Sequence, residues 1–122
     1  MAPERKLYKK VKQNLPRIVW NRLENLSLLG TPDLLGYNAN GHFFTVELKV
    51  SKGNRVKFSP HQIAFHIQHP KNTFILIEAL GQRCLKLFPG SEIRGLSTEG
   101  HDYGWPMAQS WEDIQKIFDQ VA

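Results

Sequence analysis

TPDLLGYNANGHFFTVELKV, residues 31–50, consists of two apolar runs joined by four turn-forming residues. Leu34 to Tyr37 makes the first run, His42 to Val50 the second, and Asn38-Ala39-Asn40-Gly41 lies between them. An Asn-Gly pair flanked by such runs is a strong hairpin signal, because both residues tolerate the left-handed backbone that a tight reversal needs. Successive side chains of a strand point to opposite faces. Phe43, Thr45, Glu47 and Lys49 therefore share one face, while Phe44, Val46, Leu48 and Val50 form the other, which reads as core.

Downstream, residues 51–57 form a polar loop carrying Lys52, Gly53, Arg55 and Lys57. Ser59-Pro60-His61-Gln62 then starts a helix: serine caps, proline suits the first helical position, and glutamine three residues on completes a capping box. That helix, with Ile63, Phe65 and Ile67, ends by Pro70. Thr73 to Ala79 is nearly all apolar, as expected of a strand buried on both faces. Arg83 to Phe88 reads as another strand, and residues 89–109 as irregular. A last helix begins at Ser110, with Asp113 as its capping partner and a stripe of Trp111, Ile114, Ile117, Phe118 and Val121.

Upstream, Leu7, Val11 and Leu15 make one stripe of a helix over residues 4–15. Pro16 breaks or restarts it, with Asn14 as the cap of a second piece. Ile18, Val19, Leu23 and Leu26 carry the apolar face on to Gly30, so the first thirty residues are expected as one kinked helix or two short ones. A helix joining two strands implies a parallel crossover, whereas the Asn-Gly turn implies an antiparallel pair; together they predict a mixed sheet with helices packed on it.

At 122 residues the chain has the length of one domain, residues 1–122, with 41% apolar and 22% charged residues as in ordinary globular proteins. No apolar run approaches the roughly 20 residues that cross a bilayer. The single cysteine, Cys84, can form no internal disulfide, and no Cys/His spacing suggests structural zinc, so a reducing, cytoplasmic setting is expected. Charge is uneven. Arg5, Lys6, Lys9, Lys10, Lys12, Arg17 and Arg22 face only Glu4 within the first 22 residues, a net +6 in a chain whose total is +5. Such a block suits a polyanion such as the DNA backbone, and equally a solvated helix face.

The chemistry gathers around the hairpin. Glu47 and Lys49 project from one strand face about 6.5–7 Å apart. Asp33 opens the neighbouring strand, so two carboxylates and an ammonium are expected at one end of the sheet. This set suits metal-assisted phosphodiester hydrolysis: hard oxygen ligands hold Mg²⁺, and lysine orients or deprotonates water or stabilises developing negative charge.

Pro32-Asp33 followed by Glu47-Leu48-Lys49 on a strand after a hairpin resembles the PD-(D/E)XK nuclease superfamily. Arg22-Leu23-Glu24-Asn25, Gly30-Thr31-Pro32-Asp33 and the Ser59-to-Gln62 helix start narrow the resemblance to its small stand-alone virus-type replication-repair nucleases (VRR-NUC-like) and phage Holliday junction resolvases. The resemblance spans residues 17–90. It implies an α/β fold with a restriction-endonuclease-like mixed β-sheet core in the order αβββαβ, flanked by helices, with an extra C-terminal helix. It also implies Asp33, Glu47, the Leu48 carbonyl and Glu24 as ligands of Mg²⁺, with Mn²⁺ able to substitute, Lys49 as catalytic lysine and Gln62 as a positioner of water or phosphate. A phage-encoded chain would act in the host cytoplasm.

Each residue also has a structural explanation: a surface ion pair for Glu47 and Lys49, a turn residue for Asp33, a solvated helix position for Glu24, a helix cap for Gln62. His61, His66 and His69 lack a fourth ligand for zinc and read as surface or DNA-facing residues; Trp105 and Trp111 read as packing. Lys9, Lys10, Lys12, Lys52, Arg55 and Lys57 are the expected DNA contacts. A chain this small has little room to read bases, so shape-selective recognition of branched DNA, four-way junctions above all, is expected. The alternatives are a less selective flap, nick or restriction-like enzyme, or a non-catalytic nucleic-acid-binding domain. One active centre and two strands to cut imply a homodimer, with the Leu7/Val11/Leu15 stripe or the Trp111/Phe118 helix as its surface.

Overall fold

The computed structural model describes residues 3–23 and 30–122. In chain order its elements are α1 (Pro3–Asn14), β1 (Val19–Arg22), β2 (Leu34–Tyr37), β3 (Phe43–Ser51), α2 (Pro60–Gln68), β4 (Thr73–Ala79), β5 (Cys84–Pro89), a 3₁₀ turn (Gly90–Glu92), α3 (Ile93–Glu99) and α4 (Trp111–Asp119). Among the described residues the sheet is five-stranded, ordered β1-β2-β3-β4-β5. It is antiparallel from β1 to β3, parallel between β3 and β4, and antiparallel again to β5. The hairpin and the crossover both stand where the residue pattern places them.

The alternation along β3 sorts two cores onto the two sheet faces. Phe44, Val46 and Leu48 join Leu34, Phe74, Leu76 and Leu87 beneath α1 and α4, with Leu7, Val11, Leu15, Ile114 and Phe118 fully enclosed. Burying one such side chain is worth about 1.5–3 kcal/mol. Ile75, Ile77 and Phe88 on the opposite face pack with Val56, Ile93 and Leu96. Asn38, in the hairpin turn, ties the last helix to the sheet: its amide donates to the Phe118 and Val121 carbonyls (3.0 and 2.9 Å), while its Oδ1 accepts from Asn40 and His42 (3.1 and 3.0 Å).

Several expectations fail. Residues 19–22 are a strand, not helix. Pro16 ends the helical run, and Asn14 closes α1 by donating to the Lys10 carbonyl (2.8 Å) rather than capping a second piece. Val-Trp then pairs along the free edge of β2, with the Trp20 ring set edge-on against Phe44 and Phe118. Tertiary pairing of β-prone residues overrides an apolar spacing that also suited a helix. Within 89–109, expected to be irregular, α3 forms instead. Its Ile93 and Leu96 are buried, but Gly95 masks the helical signal; a Cβ there would lie 2.2 Å from the Tyr103 ring.

His66 is buried rather than at the surface, and its ordinary basicity is lowered, by burial above all. Trp105 is 92% exposed rather than packed in the core, whereas Trp111 lies half-buried against the core. The apolar residues expected to form a dimer surface, Leu7, Val11, Leu15 and Phe118, are consumed by the chain's own core. No helix among the described residues is long and apolar enough to cross a membrane.

Candidate active site

Asp33 stands one residue before β2, and its neighbours fix it there. Its backbone carbonyl accepts from the Leu23 amide (2.8 Å), which carries the β1–β2 ladder one step further. Its carboxylate Oδ2 accepts from the Leu48 amide at 2.7 Å. An N–H and a C=O of one strand residue point to the same side. The β2–β3 ladder stops at Leu34–Val46, so the Leu48 carbonyl also faces the Asp33 side, beyond the strand that would otherwise bind it.

Glu47, on the opposite face of β3 from Leu48, is 2% exposed and therefore no surface ion pair. Its Oε2 accepts from the Gln62 amide at 3.1 Å, and its Oε1 is buried with no partner. Burial, then the charge and hydrogen bonding of nearby Asp33, push its carboxyl from 4.5 up to about 9; Lys49 opposes the shift and Glu4 adds to it. Lys49 is half-buried, with its ammonium 3.2 Å from Gln62 Oε1 and 5.0 Å from the centre of the Phe58 ring.

Gln62 joins helix start and site. The capping box is complete: Ser59 Oγ accepts from the Gln62 amide (3.1 Å), and Gln62 Oε1 accepts from the Ser59 amide (2.9 Å). The same Oε1 accepts from the Lys49 ammonium while Nε2 donates to Glu47. One side chain thus serves both readings that its spacing left open. Gly30, at φ +78, lets the Thr31-Pro32-Asp33 turn press against this helix start; a Cβ there would stand 2.2 Å from the His61 carbonyl oxygen.

Exposed Lys52, Arg55 and Lys57 follow β3 directly and, with Lys49 and Glu4, line a cavity of about 390 Å³. Glu4, in the first turn of α1, is a site residue that sequence reasoning misses, because nothing local ties it to the hairpin. The N-terminal cations are placed differently: Lys10 pairs with Glu78 (2.5 Å), Lys12 sits 5.3 Å from the Tyr8 ring centre, and Lys9 is exposed. Glu24 lies outside the described residues.

No cluster of three or more His, Cys, Asp or Glu side chains that could hold an ion occurs among the described residues. The donors present still suit a hard divalent cation. Two adjacent carboxylates, one with a buried unpartnered oxygen, and the Leu48 carbonyl on the Asp33 side of β3 are oxygen ligands of the kind Mg²⁺ takes, with water or substrate oxygens completing the shell.

The mixed five-stranded sheet with helices on both faces is the restriction-endonuclease-like fold. Among solved structures it is similar to Hjc from Archaeoglobus fulgidus, a Holliday junction resolvase, with a TM-score of 0.56, 13% identity, and 73% of this chain and 74% of that one covered. No protein-family model and no curated protein matches the sequence.

Proposed function

We propose that this chain is a Mg²⁺-dependent endonuclease that cuts branched DNA, with four-way junctions as its main substrate and Mn²⁺ as an accepted replacement metal. The observation that carries the reading is the buried Glu47 carboxylate, with an unpartnered oxygen, held beside Asp33, Lys49 and Gln62. Lys49 offsets only part of the cost of burying this carboxylate beside Asp33, and a divalent cation would offset more of it. Within the superfamily, the virus-type and phage-resolvase subgroup is the one proposed, acting in the cytoplasm.

Asp33, Glu47 and the Leu48 carbonyl would hold the metal, with Glu24 as the further carboxylate that the family resemblance implies and Glu4 adding negative charge beside Glu47. When bound, the metal polarises the phosphoryl oxygen and acidifies water. Lys49, steadied by Gln62 Oε1 and the Phe58 face, orients the attacking water or meets the negative charge that builds on the phosphate. Gln62 keeps Glu47 and Lys49 in one register. Lys52, Arg55 and Lys57 take neighbouring phosphates. Paired cuts call for two copies of the chain, and the exposed cross-strand row Val19, Tyr37 and Phe43 is an apolar surface available for that contact.

The test is cleavage of four-way junction, supercoiled plasmid and linear duplex DNA in Mg²⁺, Mn²⁺ or EDTA. Junction cleavage should need the metal, and Asp33→Asn or Lys49→Ala should abolish it while DNA binding persists. Metal-independent cleavage, or normal turnover in either variant, would remove the assigned centre. DNA binding with no cleavage under any condition would favour a non-catalytic domain.

Gln62→Ala should show both of its roles: a stability loss of about 1 kcal/mol from the missing cap, and a turnover drop of about tenfold or more from the released Lys49 and Glu47, the size expected when a positioning side chain is removed. Thermal melting and single-turnover cleavage measure the two separately. Unchanged turnover with a lowered melting point would leave Gln62 a cap alone.

A further inference from the structure

Lys86 is 6% exposed, an unusual place for an ammonium unless its hydrogens are taken. It shares the sheet row of Lys49, two strands across, through the register Lys49–Ile77–Lys86. Its Nζ contacts His101 Nδ1 (3.0 Å), the His101 carbonyl (3.3 Å) and Asp102 Oδ1 (3.3 Å). An ammonium can only donate, so Nδ1 accepts and the remaining imidazole proton sits on Nε2. That proton goes to the Gly53 carbonyl at 2.8 Å. Buried His101 thereby ties β5 to the loop that follows the Glu47 and Lys49 strand.

Asn54 is gripped next to it. Its carbonyl accepts from the His101 amide (2.9 Å), its Oδ1 from the Asp102 amide (2.8 Å), and its Nδ2 donates to the Glu99 carbonyl (2.7 Å). Ser51 Oγ reaches the Gly53 and Arg55 carbonyls (2.6 and 2.7 Å), and the Ser51 carbonyl accepts from Leu80 (2.8 Å). The loop's acceptors are thus turned inward while Lys52, Arg55 and Lys57 stay exposed around the cavity they share with Lys49. A loose loop would lose conformational freedom on meeting a phosphate, and that loss is subtracted from affinity.

We infer that His101, Asn54 and buried Lys86 are positioning residues that hold loop 52–57 in advance as a clamp for DNA-strand phosphates. The inference rests on the nuclease reading of the neighbouring acidic centre, but its test needs no metal. Binding of the full chain to fluorescent four-way junction and duplex DNA would be measured by anisotropy in EDTA across a salt series, well below each variant's melting temperature. Asn54→Ala and His101→Ala leave the loop's cations in place, yet each should weaken binding by about tenfold. The slope of log affinity against log salt should flatten by about 0.9 for each phosphate that the loop no longer engages. His101→Gln, which keeps a donor for the Gly53 carbonyl, should recover most of the affinity. In Mg²⁺ at saturating DNA, turnover should be preserved.

A purely structural role would lower the melting point and leave Kd and slope unmoved, and that result overturns the inference. Should His101→Ala fail to fold, exposed Asn54 carries the test alone. Wild-type protein that binds no DNA would defeat the nuclease reading and this one together. Wild-type binding with an unaffected Asn54→Ala variant would defeat only the clamp.

Discussion

Without metal, the Glu47→Gln protein should melt higher than the wild type, by more at pH 9 than at pH 6, and should cut no DNA. Glu47 loses its proton at about 9 in the folded protein against an ordinary 4.5, because burial and the adjacent Asp33 disfavour its charge. Between those values the folded state holds a proton that the unfolded chain has released. Stability therefore falls as pH rises through the window, by about 1.4 kcal/mol per pH unit, and the full cost is present above the folded value. Glutamine has no such proton to lose and can still accept from Gln62. For a chain of this size, 1 kcal/mol corresponds to a shift of about 4 °C.

Divalent cation should act in the opposite sense. It binds the ionised pair, so Mg²⁺ should raise the wild-type melting temperature, and its affinity should climb by up to about tenfold per pH unit across the same window, because uptake expels a proton. The variant should show no such response. Differential scanning calorimetry at pH 6, 7.5 and 9, with Mg²⁺ and with EDTA, measures all of this. A wild-type melting point flat between pH 6 and 9, or a variant that Mg²⁺ still stabilises, would refute the assignment of Glu47.

Gly30→Ala should be nearly as damaging although it touches no reacting atom. At φ +78 an alanine is strained by about 1–3 kcal/mol, and its methyl carbon would stand 2.2 Å from the His61 carbonyl oxygen and 2.7 Å from the Gln62 amide nitrogen. Those are backbone atoms, which cannot swing aside. Either the Asp33 turn or the start of α2 must move, and the two groups of site residues separate. A displacement near 1 Å is enough to cost about 10²-fold in turnover. Circular dichroism should still show a folded protein, with cleavage at saturating DNA down by that factor. Full activity would mean that the contact between turn and helix does not set the site's geometry.

How much of this was legible from residues alone depended on how local the signal was. The Asn-Gly turn and the alternation of Phe43 to Val50 lie within one hairpin, so register, faces and the meeting of Asp33 with Glu47 could be read directly. The capping box at Ser59 to Gln62 was equally local, but its reach to Glu47 and Lys49 was not, since that depends on how the crossover lays α2 against β3. β1 was hidden because Ile18, Val19 and Leu23 suit a helical stripe, and only the open edge of β2 makes them a strand. The burial of Leu7, Val11, Leu15 and Phe118 in a common core was likewise a tertiary fact, so an apolar stripe could be mistaken for a surface awaiting a partner. Glu4, His101 and Lys86 act through contacts that no spacing announces.

Asp33, Glu47, Leu48, Lys49 and Gln62, together with the glycine that presses turn to helix, all come from one unbroken stretch, residues 30–62. Apart from Glu4, Lys86 and His101, the rest of the chain serves that stretch largely by shape: the inner faces of α1 and α4 need only stay apolar, and β4 only buried. Shape can be conserved by many sequences, since cores accept exchanges among hydrophobic residues when volume and pattern are kept. Over evolutionary time the supporting segments can drift almost freely, and new surface loops can be tried for different branched substrates, while selection acts tightly on a short cassette. Kinship in such proteins would survive in the path of the backbone and a handful of letters long after overall identity has faded.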